Sequence, residues 1–312
     1  MKLDVIKYGK VYITASTLVI LAGIAGMIIS WQRTGFPLKP AIDFTGGTRL
    51  VIGLACTPST CAKPIDIGEV RSAISDKGFG NSVIQVIEGE GLYGVSIQTV
   101  DLDTEQRATL QATIQEALKS SGAVDPQKSQ IEKIGPVIGS QLLTSGLTAL
   151  VISFLGIAVY LGFRFQLDYA VFAIVALLHD VLVTVGAFAW LGLIAGVEVD
   201  SLFIVAILTI CGFSVNDTVV IYDRIRENLK NAAEGAKLGD LVNSAVNQSL
   251  ARSLNTTLTT VLPLVAIFIF GGATLKHFAL ALMIGFLSGV YSSIFNATIL
   301  FTWWRNFRTA QG

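Results

Sequence analysis

Six stretches of this chain, each about 20 residues long and almost free of charge, are long enough to cross the ~30 Å apolar core of a bilayer as helices. They lie near residues 11–31, 137–162, 167–192, 201–222, 254–271 and 277–303. Backbone immersed in lipid must satisfy its own hydrogen bonds, so such stretches restrict the chain to a polytopic α-helical membrane fold with six transmembrane helices. Composition agrees: 52% of residues are hydrophobic and 14% charged, against roughly a quarter charged in soluble domains. The first stretch is a full span in length, which predicts a retained anchor instead of a cleaved signal. The fifth contains Pro263, tolerated in a membrane helix where neighbours satisfy the freed carbonyl. A formal net charge of zero argues against nucleic acid as a partner.

An even number of crossings puts both termini on one side. Lys2, Lys7 and Lys10 precede the first span, Arg164 follows the second, and Arg305 and Arg308 follow the sixth. Arg224, Arg226, Lys230, Lys237 and Arg252 flank the link between the fourth and fifth spans. All fall on the same face, whereas the opposing short loops hold Glu198, Asp200 and Lys276. The positive-inside rule therefore predicts cytoplasmic termini, 1–10 and 304–312, and places 32–136 on the far side. In the link, Leu238, Leu241, Val242, Ala245, Val246 and Ser249 form a helical stripe, with Asp240, Asn243 and Asn247 off it. An amphipathic segment near 223–251 lying at the cytoplasmic interface is the expectation, with a simple tether as the alternative.

The segment 32–136 mixes polar and apolar residues as a folded domain does. Strand patterns cover 48–54, 82–88, 93–99 and 129–134, and helical ones 66–77 and 103–120. Gly89-Glu90-Gly91 reads as a hairpin connection, and Asp103 with Gln106 as a capping box. The order β-α-β-β-α-β predicts a ferredoxin-like α+β domain. Cys56 and Cys61 lie within it, where a disulfide and a free pair both fit, and neither has the neighbours of a zinc site. Cys211, in an apolar run, reads as a small core hydrophobe.

Charge inside a span is costly, about 2.5–3.5 kcal/mol for a central Asp or Arg, and commonly serves ion or proton movement. Asp217 follows the uncharged run Leu202–Val215 and lies about 24 Å from the outer end of its helix. Ser214, Asn216 and Thr218 surround it with polar groups; hydrogen-bonded glue between helices is the competing reading. Arg252, at the start of the fifth span, is followed by Asn255, Thr256 and Thr259 on one helical face, which points to a polar cleft. An arginine snorkelling to headgroups is the plainer account of the first of these. His179 and Asp180, near the middle of the third span, form a candidate proton relay or a structural pair, and Asp168 reads as interfacial. Gly285 and Gly289, continued by Ser292 and Asn296, permit close helix contact. No nucleotide loop, hydrolase elbow, metal cluster or cofactor motif is present, so if the chain uses energy, the membrane potential and proton gradient are the expected source.

Three motifs carry a family resemblance: Ile42-Asp-Phe-Thr-Gly-Gly-Thr48 after the first span, Ser214–Asn228 ending the fourth, and Arg252-Ser-Leu-Asn-Thr-Thr257 opening the fifth. With the six-span layout and one large external domain, they resemble the SecF family of the bacterial Sec protein-export machinery, in the resistance-nodulation-division superfamily. The resemblance covers essentially the whole chain, the motif residues Asp43, Phe44, Thr45, Gly46, Gly47 and Thr48 included. It implies a non-enzymatic inner-membrane subunit with a periplasmic domain. It implies a heterodimer with SecD, working with the SecYEG channel, the SecA ATPase and YidC on unfolded preproteins. In the family, membrane carboxylates and an arginine serve proton transport; Asp217 and Arg252 match those positions, and Asp180 is a weaker candidate. A scaffold without its own proton role and a small-molecule efflux half-transporter are the alternatives.

Overall fold

The computed structural model describes residues 3–89, 92–271 and 273–311. In chain order the elements are α1 (Gly9–Thr34), α2 (Ile42–Thr45), β1 (Gly47–Leu54), α3 (Ile67–Ser75), β2 (Val83–Gly89), β3 (Leu92–Thr99), α4 (Thr104–Leu118) and β4 (Val124–Ile134). There follow α5 (Pro136–Arg164), α6 (Leu167–Ala195), α7 (Ser201–Lys230), α8 (Leu238–Phe270), α9 (Ala273–Tyr291), a π-helical segment Ser292–Ala297 and α10 (Thr298–Gln311). The chain divides into two compact units, Pro40–Ser145 and the remainder. Glu90 and Gly91 of the expected hairpin turn, and Lys2 of the basic N-terminus, lie outside the described residues.

In the smaller unit the strand order is β2-β3-β1-β4 with every neighbour antiparallel, the order that two interleaved split β-α-β units produce. Leu50, Ile52 and Leu54 of β1 and Val95 and Ile97 of β3 alternate inward at the two-residue period of a strand. Val70 and Ile74 of α3 and Leu110, Ile114 and Leu118 of α4, three or four residues apart, complete this core. The capping box starts α4: Asp103 Oδ1 accepts from Gln106 N at 2.8 Å, and Gln106 Oε1 accepts from Asp103 N at 3.1 Å. Asp43–Thr45 lie in the single turn α2, after which Gly46 and Gly47, with φ of 71° and 131°, swing the chain into β1. β4 begins five residues before the expected start, at Val124, despite Pro126; it is an edge strand, where a missing N–H can face away from the ladder. Cys56 and Cys61 are joined as a disulfide, with Cα atoms 5.1 Å apart.

The larger unit is helical, and among the described residues six helices are long and apolar enough to cross a membrane: α1, α5, α6, α7, α8 and the continuous stretch Leu275–Arg308. α1 and α6 meet backbone to backbone. A Cβ built on Gly186 would lie 2.5 Å from Gly23 Cα, and beside this contact Trp190 Nε1 donates to Ala22 O at 2.9 Å. In lipid, where apolar side chains gain little by leaving the solvent, such close approach is what holds helices together. Gly186→Leu should therefore prise α1 from α6 and cost about 1–3 kcal/mol or more, as overpacking does, with Gly186→Ala intermediate. Thermal aggregation in detergent measures it; a wild-type midpoint for Gly186→Leu would refute the contact's role.

Two features depart from the sequence reading. The segment expected to lie as a separate amphipathic helix is instead the first part of α8, a single helix of 33 residues, and the link shrinks to 231–237. No Gly or Pro stands between Asp240 and Leu262 to stop the helix, and Val242, Ala245, Val246 and Ser249 bury within the protein. Its Asn243 and Asn247, one turn apart, grip the N-terminal residues Leu3 and Val5. Asn247 Oδ1 accepts from Leu3 N at 2.8 Å and Asn243 Oδ1 from Val5 N at 2.9 Å, while Asn247 Nδ2 donates to Leu3 O at 2.7 Å. The last span, expected as one regular helix, is interrupted by the π-helical segment.

Candidate functional site

Asp180 and Asp217 lie in the interior of the helical unit, and their surroundings differ. Asp180 stands on a buried row of α6 with Ala173, Ala176, Leu177 and Thr184 and is 0% exposed. Its Oδ2 accepts from Ser214 Oγ of α7 at 2.6 Å and from Ser292 Oγ of the π-helical segment at 2.7 Å. Its Oδ1 accepts from Ser288 Oγ of α9 at 2.7 Å, and His179 Nδ1 lies 3.0 Å from the same oxygen. Gly285 is what lets α9 come this close to α7, since a Cβ there would lie 2.2 Å from Ile210 Cδ1. A row predicted only to permit helix contact thus delivers one of the hydroxyls that hold Asp180, Ser292, and Ser288 beside it adds another.

Asp217 of α7 is 7% exposed. Ser253 Oγ of α8 donates to its Oδ1 at 2.7 Å, whereas its buried Oδ2 has no hydrogen-bond partner among the described residues. The polar patch expected around it is arranged otherwise. Ser214 turns to Asp180, Thr218 Oγ1 lies 2.7 Å from Ser293 Oγ, and Asn216 is exposed. The stripe of Arg252, Asn255, Thr256 and Thr259 is exposed too, so it does not line the interior of this chain. The inward residues of that turn are the smaller Ser253 and Thr257, four apart on α8, since only small hydroxyls fit where two helices pack closely. Asp168, read as interfacial, pairs with Arg305 at 2.7 Å.

Sequence reasoning missed Ser253, Ser288 and Ser293 because serine has no periodic signature of its own. Ser253 stood inside the motif Arg252–Thr257, overshadowed by its larger neighbours.

The two carboxylates have different chemical latitude. Asp180 accepts from three serines and has His179 Nδ1 beside Oδ1, so a proton taken up there would need a serine to turn and accept or the ring nitrogen to receive it. Asp217 can gain or lose a proton on Oδ2 with no hydrogen bond broken, because none is made there. A polytopic membrane protein whose interior holds one anchored and one half-free carboxylate belongs with proteins that use intramembrane acids, as glue or as exchange groups.

The comparisons sharpen that class. The family described as "Protein export membrane protein SecD/SecF, C-terminal" matches residues 113–307. The chain is 55% identical over its whole length to the protein translocase subunit SecF of Synechocystis, covering 97% of that protein. It is 36% identical to the SecF of Thermobaculum terrenum over 97% of this chain and 94% of the relative. Its fold matches the crystal structure of SecDF, a translocon-associated membrane protein from Thermus thermophilus, with a TM-score of 0.81 and 30% identity over 98% of this chain. It spans 39% of that longer chain. The protein belongs to the SecD/SecF family, on its SecF branch.

Proposed function

We propose that this chain pairs with SecD in the inner membrane and couples the proton-motive force to late steps of protein export. Its termini lie in the cytoplasm and the α+β domain in the periplasm. The complex acts on preproteins at the SecYEG channel after SecA has driven them through, with YidC as a further neighbour. Asp217 is the exchanging group, Arg252 biases its charge, and Asp180 with His179 is an anchor that fixes α6, α7 and α9 around it. The observation that carries the reading is the partnerless Oδ2 of Asp217, buried beside a single serine donor. One charge crossing 100 mV releases about 2.3 kcal/mol, comparable to the cost of a central carboxylate, so the gradient is large enough to drive the exchange.

The test follows release of a preprotein already trapped in the channel, in membrane vesicles with and without this chain. Release should depend on the proton gradient only when the chain is present. Identical sensitivity to an uncoupler in both preparations would refute the proposal.

A further inference from the structure

Five residues along α7 from Asp217, about 7 Å toward the end where the helix leaves the span, Tyr222 enters a layer of rings that the proton reading leaves unused. Its neighbours are Phe165, between α5 and α6, Tyr169 of α6 and Phe301 of α10. Ring centroids lie 4.2 Å apart for Tyr169–Phe301, 5.0 Å for Tyr169–Tyr222 and 6.0 Å for Phe165–Tyr222. None of the four residues is more than 6% exposed. The layer lies beneath the hydroxyls around Asp180: Ser214, Thr218 and Tyr222 follow at four-residue steps on one buried face of α7.

Arginines cap the outward side of this layer. The Arg305 guanidinium sits 4.7 Å from the Phe301 ring and 5.0 Å from the Tyr169 ring, and those of Arg164 and Arg226 sit 5.1 and 5.5 Å from Phe165. Asp168 holds Arg305 and Asp223 holds Arg164, each at 2.7 Å, so the cap is pinned to the first turn of α6 and the last turns of α7. Directly above Phe301 the backbone is π-helical, and Ala297 O, at its end, accepts from Tyr222 OH at 3.3 Å. A π-helical turn inside an α-helix is rare and is frequently found at a functional site. A ring layer buried from water, a charged cap outside it and an irregular turn just before Phe301 together have the construction of a gate.

We infer that the rings of Phe165, Tyr169, Tyr222 and Phe301 are the inner gate of the bundle, closed in this structure, and that α10 opens it by turning at Ser292–Ala297. The inference rests on proton exchange at Asp217 and adds to it the barrier that stops protons leaking to the same end. Apolar constrictions close to ions and water because filling them strips hydration.

The experiment measures the passive decay of a pH gradient across liposomes that contain the full chain and the subunits that copurify with it, with the potential clamped by potassium and valinomycin. Tyr222→Ala should speed the decay roughly tenfold, the change produced when a barrier falls by about 1.4 kcal/mol. Tyr222→Phe keeps the ring and should match wild type. Wild-type decay from folded Tyr222→Ala, or equal leak from Tyr222→Phe, would overturn the gate. If the Tyr222→Ala leak disappears on adding Asp217→Asn, gate and exchange site lie on one path; if it persists, the gate stands and the Asp217 reading falls. Should Tyr222→Ala fail to fold, Phe301→Leu removes a ring while keeping an aliphatic filler, and its leak is read in the same way.

Discussion

Asp217→Asn gives a protein that assembles in normal amount and has lost its response to the proton gradient. The asparagine fits the same space, and its amide oxygen still accepts from Ser253, so no hydrogen bond observed at this side chain need be lost. What disappears is the ability to change charge. Uncoupling one charge at 100 mV forfeits about 2.3 kcal/mol, a factor of roughly fifty in a driven equilibrium. Gradient-dependent preprotein release should fall to the level of vesicles that lack the chain, while recovery and melting stay within experimental error of wild type. The opposite pattern, poor recovery with the residual protein still coupled, would reassign Asp217 to helix assembly.

At Asp180 the expected order is reversed. Asp180→Ala removes the acceptor for Ser214, Ser288 and Ser292 at once and opens a cavity among three helices. A buried hydroxyl left without its acceptor costs about 1–3 kcal/mol, and the cavity adds to it. The protein should aggregate at much lower temperature in detergent, or not be recovered. Asp180→Asn should be milder, because its NH2 group can donate to hydroxyls free to rotate, and the molecules that fold should still respond to the gradient. Were Asp180→Asn stable but uncoupled, Asp180 would be a second exchange site and its role as anchor would fall.

The six spans were legible because lipid allows an apolar run of 20 residues almost no conformation except helix. The α+β domain was legible for a related reason: strands of period two and a capping box at Asp103 are local signals that the packed core reinforces. The early start of β4 was not, since proline is read against a strand unless its edge position is known. The interior site was only half visible. Acids stand out in an apolar run, so Asp180 and Asp217 could be singled out; which polar neighbours face them depends on helix rotation within the bundle. On α8 the conspicuous residues, Arg252 and Asn255, point away from the interior, and the serine between them makes the contact. The π-helical segment left no trace at all, as Ser292–Ala297 holds neither glycine nor proline to mark an irregular turn.

The uninterrupted course of α8 makes it a lever. Asn243, held to the N-terminal residues, and Ser253, bonded to Asp217, are ten positions apart on one rod, about 15 Å, with no glycine or proline between them to absorb a bend. A tilt or lift applied to the grip of Asn243 and Asn247 arrives at the acid as a change in the distance to its single donor. Whatever takes hold of the first turns of α8 thus has a mechanical handle on the hydrogen bond between Ser253 and Asp217.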